Sequence, residues 1–154
     1  MSTTSVTTSI DIRQPVAMVF EYVTTPGNWP RWHPSSLAVS GAIDHALAVG
    51  EQVTEEYLVA GNHGRVVWTV TERDAPRRWV IQGRTDGTGV AGMVAYTLDE
   101  TPEGTRFARE FVYGAAGVEL PEAIAAEVRG RIEEESAEAL RRLKAVLERG
   151  ASAG

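Results

Sequence analysis

The sequence predicts an α+β domain: a curved antiparallel sheet of about seven strands around one long C-terminal helix, with two short helices after the first strand. Three observations carry this. Val6, Thr8, Ile10 and Ile12 alternate with Thr7, Ser9, Asp11 and Arg13, the period of a half-buried strand. Between about Leu37 and Tyr113, β-rich runs are separated by short turn clusters, and short connections favour antiparallel neighbours. From Leu120 to Leu147 the period becomes helical, with Ile124, Val128, Ile132, Ala139, Leu140, Leu143 and Val146/Leu147 on one stripe.

After the first strand, "QPVAMVFEYV" places Pro15 in a first helical turn and puts Val16, Val19, Phe20 and Val23 at helical spacing. "TTPGNWP" stops that helix. In "NWPRWHPSS" (28–36), Asn28 is expected to cap a second, short helix with Pro30 just inside it. Trp29, Trp32 and His33 then share one side, either as a packing anchor or as a gate that turns His33 toward a cavity. The following strands are expected at about 37–43, 51–60, 65–73, 78–85, 90–99 and 105–113, with "GNHG" (Gly61–Gly64) as a hairpin turn. The last helix carries Glu119, Glu122 and Glu127 early and Arg141, Arg142, Lys144 and Arg149 late, an order that complements the helix dipole. Its stripe has a polar gap at Glu135 and Ser136, the mark of a helix crossing a cavity or of a locally wetter surface. A helix this long must bury its stripe on the sheet, and a twisted sheet curling around it encloses space.

The 154 residues suit one domain, 1–150, with a disordered tail at 151–154. Net charge is −6, so a broad nucleic-acid-binding face is not expected. The absence of cysteine removes disulfides, thiolate nucleophiles and cysteine metal ligands. No secretory signal or membrane-spanning run is seen, and a cytoplasmic protein, monomeric or homodimeric, without membrane insertion is expected. "GTGVAG" (Gly87–Gly92) matches a dinucleotide-binding pattern formally, but "MVAYTLDE" follows it as a strand where that site needs a helix. His33, His45 and His63 lack metal-ligand spacing, and no serine-hydrolase elbow is present. Neither a metal nor a cofactor is expected.

The segments "IDIRQPVAMVFEYVTTPGNWPRWHP", "GEQVTEEY", "VTERDAPRRWV" and "EGTRFAREFVY" together resemble the START-like (SRPBCC) superfamily, and within it the polyketide cyclase/dehydrase branch. The resemblance covers nearly the whole chain. It implies a helix-grip fold in which the last strand lies beside the first, and a cavity between sheet and long helix. It marks chemistry poorly, because one scaffold hosts carriers, cyclases, hydrolases and co-chaperones.

Period-two alternation places Glu55, Tyr57, Trp68, Tyr96, Phe107, Arg109 and Phe111 on concave strand faces. A charge there is costly unless paired, so Glu55 and Arg109 either meet across the cavity or contact ligand or water, unless a bulge turns one outward. The leading expectation is a hydrophobic or aromatic small-molecule binder, lipids included, with Tyr57, Trp68, Tyr96, Phe107, Phe111 and Ser136 as ligand contacts. The alternative is a metal-independent polyketide cyclase/dehydratase-type enzyme. There Glu55 or His33 would move protons and Arg109 would stabilise an oxyanion. A third possibility is a co-chaperone-like interaction module, against which the polar outward positions Thr54, Thr69, Gln82 and Thr97 count.

Overall fold

The computed structural model describes residues 3–85, 91–114 and 120–152. In chain order the elements are β1 (Thr4–Ile12), α1 (Val16–Val23), a 3₁₀ turn (Pro26–Asn28), α2 (Trp29–Trp32), β2 (Ser36–Gly41), β3 (Gln52–Val59), β4 (Asn62–Asp74), β5 (Arg78–Thr85), β6 (Ala91–Thr101), β7 (Gly104–Tyr113) and α3 (Glu122–Ser152). The sheet is antiparallel throughout, in the order β1-β7-β6-β5-β4-β3-β2, so the first strand pairs with the last. The expected alternation holds: Val53, Val66, Trp68, Val70, Trp79, Ile81, Val94, Tyr96, Leu98 and Phe107 all point into the core.

The β3–β4 turn differs from expectation. Asn62, His63 and Gly64 pair in the ladder opposite Val59, Leu58 and Tyr57, which leaves Ala60 and Gly61 as a two-residue turn. Both have positive φ, 48° and 81°, the type I′ pattern that matches the twist of a hairpin. Alanine pays a steric penalty in that conformation, and the contact that holds it there belongs to the site described below. The "GTGVAG" run falls mostly on 86–90, outside the described residues, and β6 follows it as a strand. The helix α3 runs through Ser152, while 153 and 154 of the expected tail lie outside the described residues.

The tryptophan-rich connection is a plug. Trp29 and Trp32 are buried, and the Trp29 indole N–H donates to the Val23 carbonyl at 2.9 Å. Trp32 packs edge-on to Phe107 (6.4 Å between centroids) and tilted against Tyr96 (6.4 Å), and Tyr96 stacks on Trp79 (5.3 Å). Asn28 precedes α2 but makes no side-chain cap; its Nδ2 donates instead to the Tyr22 carbonyl at 3.1 Å, tying the plug to α1.

The two halves of α3 are unequal. Ala139, Leu140, Leu143 and Leu147 enter the main core. This half is also fastened to the start of the chain: Gln14 Nε2 donates to the Leu147 carbonyl (2.9 Å), the Arg13 N–H to Glu148 (2.9 Å) and Lys144 Nζ to the Asp11 carbonyl (2.8 Å). In the other half Ile132 is buried, Val128 half-buried and Ile124 is 48% exposed. The stripe predicted from Ile124 onward therefore leaves the sheet at its N-terminal end.

Trp32→Ala should lower the unfolding free energy by about 3–5 kcal/mol, because it empties the centre of a packed aromatic cluster. Urea unfolding checks this, and a midpoint within error of wild type would remove the plug's structural role.

Candidate functional site

Beneath the N-terminal half of α3 lies a cavity of about 510 Å³. Its apolar wall comes from Tyr57 and Val59 on β3, Val66 and Trp68 on β4, Phe111 and Tyr113 on β7, and Val128 and Ile132 on α3. Its polar lining includes His33, Ser35, Ser36, Glu55, Arg109, Glu135 and Ser136. A second void of about 30 Å³ lies deeper, where His33, Glu55, Trp68 and Arg109 also form part of the wall together with Trp32 and Tyr96.

Most of the residues predicted for a site therefore converge. His33, Glu55, Tyr57, Trp68, Arg109, Phe111 and Ser136 all line the cavity. Tyr96 does not reach it and borders only the small void. Phe107 lines neither; it is fully buried against Trp32 and Tyr96, because the plug fills the space in front of it. Ser136 is 2% exposed and marks where the polar gap of α3 crosses the cavity.

Local geometry explains how each polar group arrives. A bulge between Ser36 and Ala38 turns Leu37 to solvent and lets Ser36 face inward. Gly83 pairs with Trp68, and a Cβ on Gly83 would stand 2.7 Å from the indole ring. The bare glycine thus lets the ring lie across β5 and bring its N–H to Glu55 Oε1 at 3.0 Å. Burial raises the Glu55 pKa, while the nearby Ser36 hydroxyl, the Trp68 N–H and the positive charge of Arg109 pull it back. Ser36 Oγ nonetheless has no hydrogen bond of good geometry.

Arg109 is 8% exposed, stacks its guanidinium over the Phe111 ring at 5.5 Å, and leaves its buried Nε without a partner. Of the arrangements expected for Glu55 and Arg109, the direct ion pair does not form: the ion pairs among the described residues include neither. Tyr96, the ladder partner of Arg109 on β6, has its pKa pushed up to about 12, by burial before all else. His33 ends α2 in an extended conformation, and its Nδ1 accepts the Ser35 N–H at 3.1 Å. Its pKa is held well below the usual value, first by burial and then by the charges of Arg109 and Arg142.

Glu135 is the residue that sequence reasoning missed. It accepts from the Ser35 hydroxyl (3.1 Å) and from the Ala60 N–H (3.1 Å to either oxygen). One carboxylate thereby joins α3, the segment before β2 and the strained β3–β4 turn around the cavity. Its signal was the polar gap in the helical stripe, where Glu135 stands beside Ser136.

A family model described as polyketide cyclase / dehydrase and lipid transport matches residues 3–148. No curated protein matches the sequence. Among solved structures, protein MLL2253 from Mesorhizobium loti is similar at 18% identity and a TM-score of 0.69, over 95% of this chain and 98% of that one. A START superfamily protein from Mycobacterium smegmatis is similar at 15% identity and a TM-score of 0.69, over 96% and 97%. Ara h 8.0201 is similar at 12% identity and a TM-score of 0.66, over 94% and 97%. At these identities the likeness shows the fold, a START-like helix grip. No helix among the described residues is long and apolar enough to cross a membrane.

Two predictions follow from this geometry. A neutral His33 with its Nε2 buried takes up its proton less readily folded than unfolded, so it withdraws stability as pH falls below the ordinary histidine value of 6.5. The loss of denaturant midpoint between pH 8 and pH 5 should be smaller in His33→Leu than in wild type; equal losses would contradict the neutral assignment. Glu135→Ala leaves the Ala60 N–H and the Ser35 hydroxyl without their acceptor. It should cost about 1–3 kcal/mol and speed amide exchange at Ala60, as read by hydrogen exchange.

Proposed function

The chain belongs to the polyketide cyclase / dehydrase and lipid transport family, and from that premise we propose that it binds a small hydrophobic or aromatic molecule in the cavity beneath α3. The observation that carries this reading is the cavity's make-up. At about 510 Å³ it lies in the range of small-molecule sites, with aromatic and branched walls and a few converging polar groups. Tyr57, Trp68 and Phe111 supply the flat apolar contact, and Ser136 sits on the helical roof. Phe107 and Tyr96 pack instead against the Trp32 plug.

A second reading, a metal-independent cyclase/dehydratase-type enzyme, is favoured by one feature. Glu55 is a cavity-lining carboxyl whose pKa is raised by burial, close enough to Arg109 to feel its charge. Glu55 would then move the proton. The geometry of His33 suits a donor rather than a base, since Nδ1 is already occupied by the Ser35 N–H.

The neutral probe N-phenyl-1-naphthylamine should bind saturably with enhanced emission. Ser136→Trp, which places an indole in the cavity, should abolish that signal; Ile132→Trp serves as the second variant if the first unfolds. Unchanged probe binding in a folded variant would contradict the cavity reading.

A further inference from the structure

Three side-chain nitrogens around the small void at the deep end of the cavity are buried and unpartnered: His33 Nε2, Arg109 Nε and Trp32 Nε1. Buried polar atoms are paired in the great majority of proteins, so three orphans around one void need an account. The histidine is the most informative. Because its Nδ1 accepts the Ser35 N–H, the neutral ring carries its proton on Nε2. The orphan is therefore a donor, and so is the Nε–H of Arg109. The carboxyl of Glu55 on the same wall answers neither of them. Glu55 already receives the Trp68 N–H through Oε1 and forms no ion pair with Arg109.

Resting on the cavity reading above, we propose that this deep end is a subsite for a neutral acceptor oxygen, a ketone, aldehyde or ester carbonyl, on an otherwise apolar ligand, with His33 and Arg109 as its donors. The charge balance selects the neutral group. An anionic head would stand against Glu55 on the same wall, and a cationic head would stand against Arg109 and the orphan N–H groups. A carbonyl oxygen has two lone pairs, one for each donor, and carries no net charge to either neighbour. The rest of the cavity suits the apolar remainder, since Val128, Ile132, Phe111 and Tyr57 offer it no charge. A water in the 30 Å³ void could also meet these donors, because that space holds one. Water alone gives the site no preference among ligands, and this separates the two cases.

The test compares 2-acetonaphthone with 2-isopropenylnaphthalene, the same shape with C=CH₂ in place of C=O, by displacement of N-phenyl-1-naphthylamine from the full chain. 2-Naphthoate and 2-naphthylmethylammonium complete the series. The ketone should bind about tenfold or more tightly than its hydrocarbon twin, and more tightly than either ion. Arg109→Met and His33→Leu should each shrink the ketone-to-hydrocarbon ratio toward one. The carbonyl stretch of bound 2-acetonaphthone should lie at lower frequency in wild type than in His33→Leu, a shift that a merely structural histidine would not produce. Equal affinities for ketone and hydrocarbon, tightest binding by the carboxylate, or an unchanged ratio in folded variants each overturn the subsite while leaving the cavity reading intact. Failure of the probe, the ketone and the hydrocarbon alike to bind overturns the cavity reading, and the subsite with it.

Discussion

The C-terminal half of α3 is fastened to the beginning of the chain, and the placement of everything else depends on that attachment. Ala139, Leu140, Leu143 and Leu147 fill the core, while Gln14, Arg13 and Lys144 close hydrogen bonds between the helix and the end of β1. A straight helix held at one end over a twisted sheet diverges from it at the other. The gap opens where Ser136 and Glu135 replace apolar residues, and beyond it only Ile132 is buried among residues 121–135. The cavity is thus the space between a helix anchored at one end and a sheet that curves away. The plug of Trp29 and Trp32 fills the anchored side, and among the described residues nothing equivalent fills the other.

The polar end of the cavity lies at the border between these two regions. Arg109 and Glu55 sit on strands separated by three others, so no ladder contact brings them together. Each is held by a different neighbour, Arg109 over Phe111 and Glu55 by the indole of Trp68. An arginine this buried with an unpartnered nitrogen is destabilising in a solid core. Beside a cavity the same group is kept available, and its cost to the fold offsets against what it can bind. Glu135 works at the rim, where one carboxylate holds the Ala60 turn in a conformation alanine disfavours.

The parts legible in the sequence were those governed by period. Alternation put Glu55, Tyr57, Trp68, Arg109 and Phe111 on the concave face, and the helical stripe with its gap put Ser136 over a cavity. The parts that were not legible depend on distances between elements. Period alone assigns Phe107 and Tyr96 to the same face as Arg109. Whether that face meets space or a tryptophan depends on how deep α2 sits. The β3–β4 turn was misplaced because "GNHG" carries the stronger turn composition, while Ala60 adopts positive φ only with the help of a helix residue 75 positions away. Asn28 had the right position for a cap, but the nearer acceptor was the Tyr22 carbonyl. Ile124 continues the stripe in sequence, yet the helix has left the sheet before reaching it.

At the deep end of the cavity a neutral His33 holds its proton on Nε2, the buried nitrogen left without a partner. Imidazole ¹⁵N chemical shifts of selectively labelled protein at pH 7, with and without saturating N-phenyl-1-naphthylamine, measure this most directly. His33 should be the Nε2–H tautomer in the free protein, stay uncharged well below pH 6.5, and shift when the probe enters. An Nδ1–H tautomer, a charged ring at pH 7, or a His33 resonance indifferent to a probe that binds would contradict this.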